Sequence, residues 1–178
     1  MNVKFLNPFV DAAHEILSME TGINMERGQL DLEKNAYVTE DITVIISLVG
    51  AVEGNVLYSM SKSTALALVS SIMGQTITVM DALSQSGIAE LGNVITGRAS
   101  IKLADAGYQA NISPPTLLIG QGATIYTLDI SRVVVPMFTD ELSLRIHLAL
   151  REGRIRDIPP SQLPIPPAPK IVPPSQTV

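Results

Sequence analysis

Apolar positions along this chain switch between a helical and a strand period, and each switch marks a change of element. Asn7-Pro8 reads as the start of a first helix, with Asn as the cap and Pro at the first helical position. The stretch to Gly22 is amphipathic, with Phe9, Ala13 and Ile16 on one side. Residues 41–60 read as two strands, DITVIISLVGAV and GNVLYSMS, with the turn at Glu53-Gly54. SKSTALALVSSIMG follows as a short helix stopped by Gly74, and residues 81–105 as a long one. Residues 108–150 return to strand character in YQANI, PTLLIG, ATIYTL, SRVVVPMF and ELSLRIHLAL, with Pro114-Pro115 separating the first two. Runs of strands interrupted by isolated helices predict an α+β fold, with a mostly antiparallel sheet packed against long helices.

The two main helices share a pattern. Residues 11–22 give Asp11-x3-Glu15-x2-Ser18-x2-Thr21-Gly22, and residues 86–97 give Ser86-x3-Glu90-x2-Asn93-x2-Thr96-Gly97. Each is later followed by an Asp-Ile-Ser/Thr opening a paired-strand segment, at Asp41 and at Asp129. The expectation is an internal duplication of helix plus hairpin.

Composition then narrows the function classes. The 178 residues suffice for one domain with a real core. Trp is absent and only 4 Tyr and 3 Phe are present, so aliphatics carry that core. A mean hydropathy of +0.30 hints at a sheet covered on both faces or at a dimer interface. A net charge of −5 with no basic run argues against nucleic acid as a partner. The lack of cysteine excludes disulfides, thiol catalysis and thiolate metal sites. MNVKFLNPF lacks the apolar stretch of a signal peptide, and residues 44–52, the most apolar segment, are too few to span a bilayer. A cytoplasmic protein without a membrane partner is expected. Eight of the 12 prolines lie beyond Arg154, which divides the chain into a domain over 1–153 and an extended, disordered tail over 154–178.

The long helix carries the candidate chemistry. At about 100° per residue, Ile88, Leu91, Ile95, Ala99 and Leu103 form one stripe, which should face the sheet. Ser86, Glu90, Asn93 and Gly97 fall within roughly 60° of each other on the opposite side. Glu90 and Asn93, three apart, project together into solvent. Gly97, a costly residue in a helix, leaves a flat spot where another backbone could come close, whereas Gly92 points toward the sheet. By spacing alone, a Glu and an Asn so placed are usually just a solvated face. His14 and His147 stand on different elements and make no metal pair. Gly120-Gln-Gly122 reads as a strand connection, not a phosphate cradle.

The segment from Ser86 to Arg98, with Glu90, Asn93 and then Pro115 at 22 positions beyond Asn93, resembles the signature of the CheC/CheX/FliY phosphatases. NPFVDAA near the start and TEDITVIISLVGAVEGNVLYSMS extend the similarity over roughly residues 4–150. The first helix keeps Glu15 but has Ser18 where an amide would complete a second site. The resemblance implies a CheC-like fold and removal of the phosphoryl group from an aspartyl phosphate on a CheY-type response regulator. It implies that Asn93 orients the attacking water and that Glu90 meets the regulator's active-site lysine, with Ser86 and Gly97 contacting the partner. No cofactor of the chain's own is implied; a divalent metal, magnesium, is held by the regulator. A homodimer joined through strands or sheet is expected from the resemblance and the apolar fraction. Two rivals stay open: a non-catalytic docking module for a regulator or flagellar switch component, and a hot-dog-type thioester enzyme, whose long helix would be buried.

Overall fold

The computed structural model describes residues 3–34, 36–127 and 130–153. The proline-rich segment 154–178 and Asp129 of the second Asp-Ile-Ser opening lie outside them. Helix α1 (Val3–Thr21) leads into short strands β1 (Glu26–Arg27), β2 (Asp31–Glu33) and β3 (Tyr37–Val38). The hairpin of β4 (Ile42–Gly50) and β5 (Val52–Met60) follows. Helix α2 (Lys62–Met73) then connects to α3 (Ala82–Asp105), and the series recurs. Short strands β6 (Ala110–Ile112), β7 (Thr116–Ile119) and β8 (Thr124–Ile125) precede the hairpin of β9 (Arg132–Phe138) and β10 (Ser143–Glu152).

Pairing makes the duplication explicit. One antiparallel eight-stranded sheet runs β1-β9-β10-β5-β4-β6, with β2 also on β9 and β7 also on β4. Each half therefore lends its first two short strands to the hairpin of the other half. The third short strands, β3 and β8, pair with each other. The halves meet where β10 pairs with β5, from Leu144 opposite Met60 to Glu152 opposite Val52. The expected helix-plus-hairpin repeat is thus a helix followed by five strands, used twice.

The strand period decides which side chains go where. Ile42, Val44, Ile46 and Leu48 of β4 and Val56, Tyr58 and Met60 of β5 are buried in one core with the apolar stripes of α1, α2 and α3. The alternate residues Thr43, Leu57, Ser59, Val134 and His147 are buried on the opposite face. There the Tyr37 ring of β3 lies 4.6 Å from the His147 ring. The second face is covered only in part, since Val49 and Phe138 on it are exposed. α3 lies against one face with an exposed outer edge, so the wrapped, buried helix of the hot-dog reading is not what this chain builds.

Two local expectations are corrected. The first helix begins at Val3, not at Pro8, which lies inside it. Phe5 and Leu6 are fully or nearly buried, and the Phe5 ring meets that of Tyr108 edge-on at 5.2 Å. Burying two large side chains outweighs the single backbone hydrogen bond that Pro8 removes. The first hairpin reverses at Ala51, between β4 and β5, and not at Glu53-Gly54. Gly54 sits within β5 at a φ of 136°, where a Cβ would come 2.0 Å from the carbonyl oxygen of Ala149. Its glycine answers to a neighbouring strand rather than to a turn. By contrast, the short helix ends at Gly74 as expected, in left-handed geometry after Met73.

Candidate functional site

α3 is fixed in roll before its outer face can matter. Asp81 caps it, accepting from the backbone N–H and the hydroxyl of Ser84, each at 2.8 Å. These bonds, the backbone one foremost, hold the Asp81 carboxyl below its ordinary range. Ile88, Leu91, Ile95, Ala99 and Leu103 are buried as the periodicity predicts. Gly92 permits close contact with the sheet: a Cβ there would stand 2.9 Å from Val44 Cγ1 and 3.3 Å from Tyr58 Cδ2. One turn on, the Thr96 hydroxyl donates to the Gly92 carbonyl at 2.8 Å. Its oxygen is left to accept from the buried Tyr58 hydroxyl at 2.8 Å. Burial pushes the Tyr58 phenol well above its ordinary range, so it remains a donor. Thr96 entered the sequence argument only as part of a repeat; its place four residues after a glycine on the buried stripe was the available signal.

With that face seated, the opposite ridge carries the four predicted residues. Ser86 and Glu90 are exposed, and Asn93 and Gly97 half-buried. The Ser86 hydroxyl donates back to the Ala82 carbonyl at 2.9 Å. The Asn93 amide nitrogen lies 3.4 and 3.5 Å from the two Glu90 carboxylate oxygens, long contacts that bring the pair together without locking it. Among the described residues, neither side chain is tied to the core by a hydrogen bond. Beyond Gly97 stands Ile112 of β6, and Pro114-Pro115 follow in the β6–β7 connection. A cleft of about 310 Å³ opens at the start of α3 between Met80, Gln85, Asp41, Lys62 and Ile119. None of the four predicted residues lines it. Glu90 and Asn93 stand on the outer face of α3, apart from that cleft.

The corresponding residues of α1 do different work. The Glu15 carboxylate takes both Arg98 contacts, at 2.6 and 3.0 Å, and Lys102 at 3.2 Å. It thereby ties α1 to α3. The Arg98 hydrogen bond is the main cause of a Glu15 carboxyl held below its ordinary range, and Arg98 is raised in turn. Ser18, where an amide would complete a second site, is exposed. The duplicated position is occupied by an interhelical ion pair.

Among the described residues no group of three or more His, Asp or Glu side chains is placed to hold a metal ion. His14 is exposed on α1 and His147 buried in β10. Gly120 and Gly122 do form a connection, between β7 and β8. The Thr39 hydroxyl donates to the Gly120 carbonyl at 2.9 Å, and the Gly122 N–H donates to the Thr39 carbonyl at 3.1 Å. No helix among the described residues is long and apolar enough to cross a membrane.

Comparison with known proteins shows the family and the fold. The chain is 28% identical over 155 residues to the CheY-P phosphatase CheX of Thermotoga maritima, covering 86% of this chain and 99% of the relative. A CheC-like superfamily protein of Shewanella sp. PV-4 has the same fold, with a TM-score of 0.77, 24% identity, and coverage of 85% of this chain and 99% of that one. The CheX of a CheX–CheY–BeF3–Mg2+ complex from Borrelia burgdorferi is similar at a TM-score of 0.66 and 26% identity, over 83% of this chain and 98% of that one. The model of the family described as chemotaxis phosphatase CheX matches residues 42–139, more than half of the sequence, and the chain belongs to that family.

Proposed function

We propose that this chain is a phosphatase that hydrolyses the aspartyl phosphate of a CheY-type response regulator, with α3 inserted at the phosphorylated site. The observation that carries the proposal is the Glu90–Asn93 pair, side by side on a solvent-facing ridge whose opposite face is fixed to the sheet. An acyl phosphate needs little covalent help; what its slow hydrolysis lacks is a placed water. The Asn93 amide offers one donor group and one acceptor without titrating, and so can hold water in line with the phosphorus. Glu90 anchors the helix through a charge pair with the regulator's active-site lysine. Ser86 and Gly97 form the rest of the contact. Magnesium belongs to the regulator in this scheme. The relative from Thermotoga maritima is named a CheY-P phosphatase, and the Borrelia burgdorferi complex joins a CheX to CheY with BeF3 and Mg2+; both support this choice of substrate. The expected homodimer remains part of the proposal, formed through the sheet rather than through α3.

The direct test is to mix the chain with phosphorylated CheY-type regulator and follow phosphate release. Binding without faster release would favour the non-catalytic docking module. Glu90→Ala should raise KM and lower kcat together; a loss of kcat alone would remove the anchoring role. Glu15→Ala should leave kcat nearly unchanged while lowering the melting temperature, because it frees Arg98 and Lys102. If the residual activity of Asn93→Ala fell further on adding Glu15→Ala, with both proteins fully folded at the assay temperature, α1 would also catalyse and the single-site reading would be wrong.

A further inference from the structure

The ridge of α3 carries more apolar surface than one facing only water should. At 100° per residue, Leu83 and Ile101 share one direction, about 20° from that of Glu90. Both are exposed, Leu83 by 62% and Ile101 by 54%. At 1.5 Å per residue, Leu83 stands about 10 Å before Glu90 along the axis, and Ile101 about 12 Å after Asn93. Neither is shielded by its neighbour one turn toward the centre of the helix, because those neighbours are Gly87 and Gly97. A helical side chain leans over the turn that precedes it, so Ile101 leans over Gly97. A Cβ at Gly97 would meet only Ile112 Cδ1, at an ordinary 3.9 Å. The chain's own contacts do not require that glycine, and the bare backbone between Asn93 and Ile101 is room left for another molecule.

We propose that Leu83 and Ile101 are two apolar posts that seat the phosphorylated regulator, one on each side of its phosphorylation site. This rests on the reading under Proposed function and names the surface by which that site holds its substrate. Three observations select this occupant. The posts flank the Glu90–Asn93 pair on the outer side of the helix, about 20° around the axis from Glu90 and about 80° from Asn93. Their separation of about 27 Å fits within a standard interface of ~800 Å² per partner, which is roughly 30 Å across. An apolar rim around a central charged contact also excludes water from it, which a Glu90–lysine pair and a positioned water both need. The regulator must then present apolar side chains on both flanks of its acidic phosphorylation pocket.

The test is steady-state phosphate release by the full chain, as a function of phosphorylated regulator, for Leu83→Ser, Ile101→Ser and the double variant. KM should rise about fivefold for each single change and twentyfold or more for the double one, with kcat within about twofold of the parent. Titration with beryllofluoride-loaded regulator should show matching losses of affinity. Leu83→Met and Ile101→Val, which keep the apolar contact, should keep KM near its original value and guard against a general loss of fold. Tyr126→Ser, an equally exposed change just beyond β8, should leave both constants unchanged. An unchanged KM in a folded double variant, while Asn93→Ala still stops turnover, would overturn the posts and leave the phosphatase reading standing. A fall in kcat without a rise in KM would overturn them too, by moving their effect to the chemical step. Conversion of a dimeric parent into a monomer by the double variant would assign the strip to a second copy of this chain instead. If Asn93→Ala leaves turnover intact, the reading beneath the proposal fails, and the posts with it.

Discussion

Asn93→Ala is expected to lower kcat for regulator dephosphorylation by about 100-fold or more, equivalent to roughly 3 kcal/mol of barrier, while regulator binding stays within a few-fold. The separation of the two effects follows from where the amide sits. Its one hydrogen-bonding neighbour among the described residues is the Glu90 carboxylate, at 3.4 and 3.5 Å. Removing it opens no core cavity and strands no buried donor, and Ala is the better helix former. The anchoring charge of Glu90 and the flat backbone at Gly97 both remain, so docking survives. What disappears is the group that places a water against the phosphorus. Asn93→Asp sharpens the test, because it keeps shape and acceptor but removes the donor, and sets a second carboxylate beside Glu90. It should be as inactive as the alanine variant. Single-turnover measurement with the phosphatase in excess over phosphorylated regulator separates the chemical step from affinity. More than half of the parental rate in folded Asn93→Ala would falsify the role given to that residue.

The placement of the Glu90–Asn93 pair was legible because it is local. Glu90 and Asn93 are three residues apart on one helix, and the stripe from Ile88 to Leu103 fixes which way they point; period alone supplies both facts. The ends of α2 were legible for the same reason, since Ser61 and Gly74 act on backbone groups within one turn. What the sequence hid depends on distant partners. The bond that ties Glu15 to Arg98 spans 83 positions, and no spacing rule links them. Gly54 looked like a turn residue because the strand that crowds it, β10, lies nearly a hundred residues later. β1, β2 and β3 have two or three residues each, too few to show alternation, and exist because β9 and β8 supply their pairing. Missing β3 had a further consequence. His147 read as a histidine on a strand, with no sign that Tyr37 would cover it.

Unfolding is expected to become easier by about 2 kcal/mol between pH 7 and pH 5, and the cause is that covered histidine. His147 is 3% exposed in β10, beneath the Tyr37 ring. Ser59 donates its hydroxyl proton to Glu40 at 3.3 Å, so its oxygen accepts from His147 Nε2 at 2.9 Å. This arrangement assigns the proton to Nε2, and Nδ1 is buried with no hydrogen-bond partner among the described residues. Protonating Nδ1 would add a second proton, and with it a positive charge, at a buried site where no acceptor among the described residues meets it. Burial is the main force pushing the His147 pKa down, to about 3, and the charges of Arg132 and Arg145 add to it. Arg132 is itself buried and ion-paired with Glu33, and Arg145 pairs with Glu40 at 2.9 Å. In the unfolded chain the same imidazole titrates near 6.5. Below that pH the unfolded state binds a proton that the folded state refuses. Stability is therefore full above about 6.5 and is lost, at about 1.4 kcal/mol per pH unit, as pH falls toward 3. The depressed carboxyls of Glu15, Asp41 and Asp81 act in the same sense but only at lower pH, near and below their ordinary range. The interval from pH 7 to 5 isolates the histidine. Urea unfolding at half-unit steps should show the slope in the parent and its loss in His147→Gln, whatever that variant's stability at pH 7. A parent whose unfolding free energy stays level across the interval would mean that His147 accepts its proton while folded, through an opening of the β3 cover that exposes Nδ1 to water.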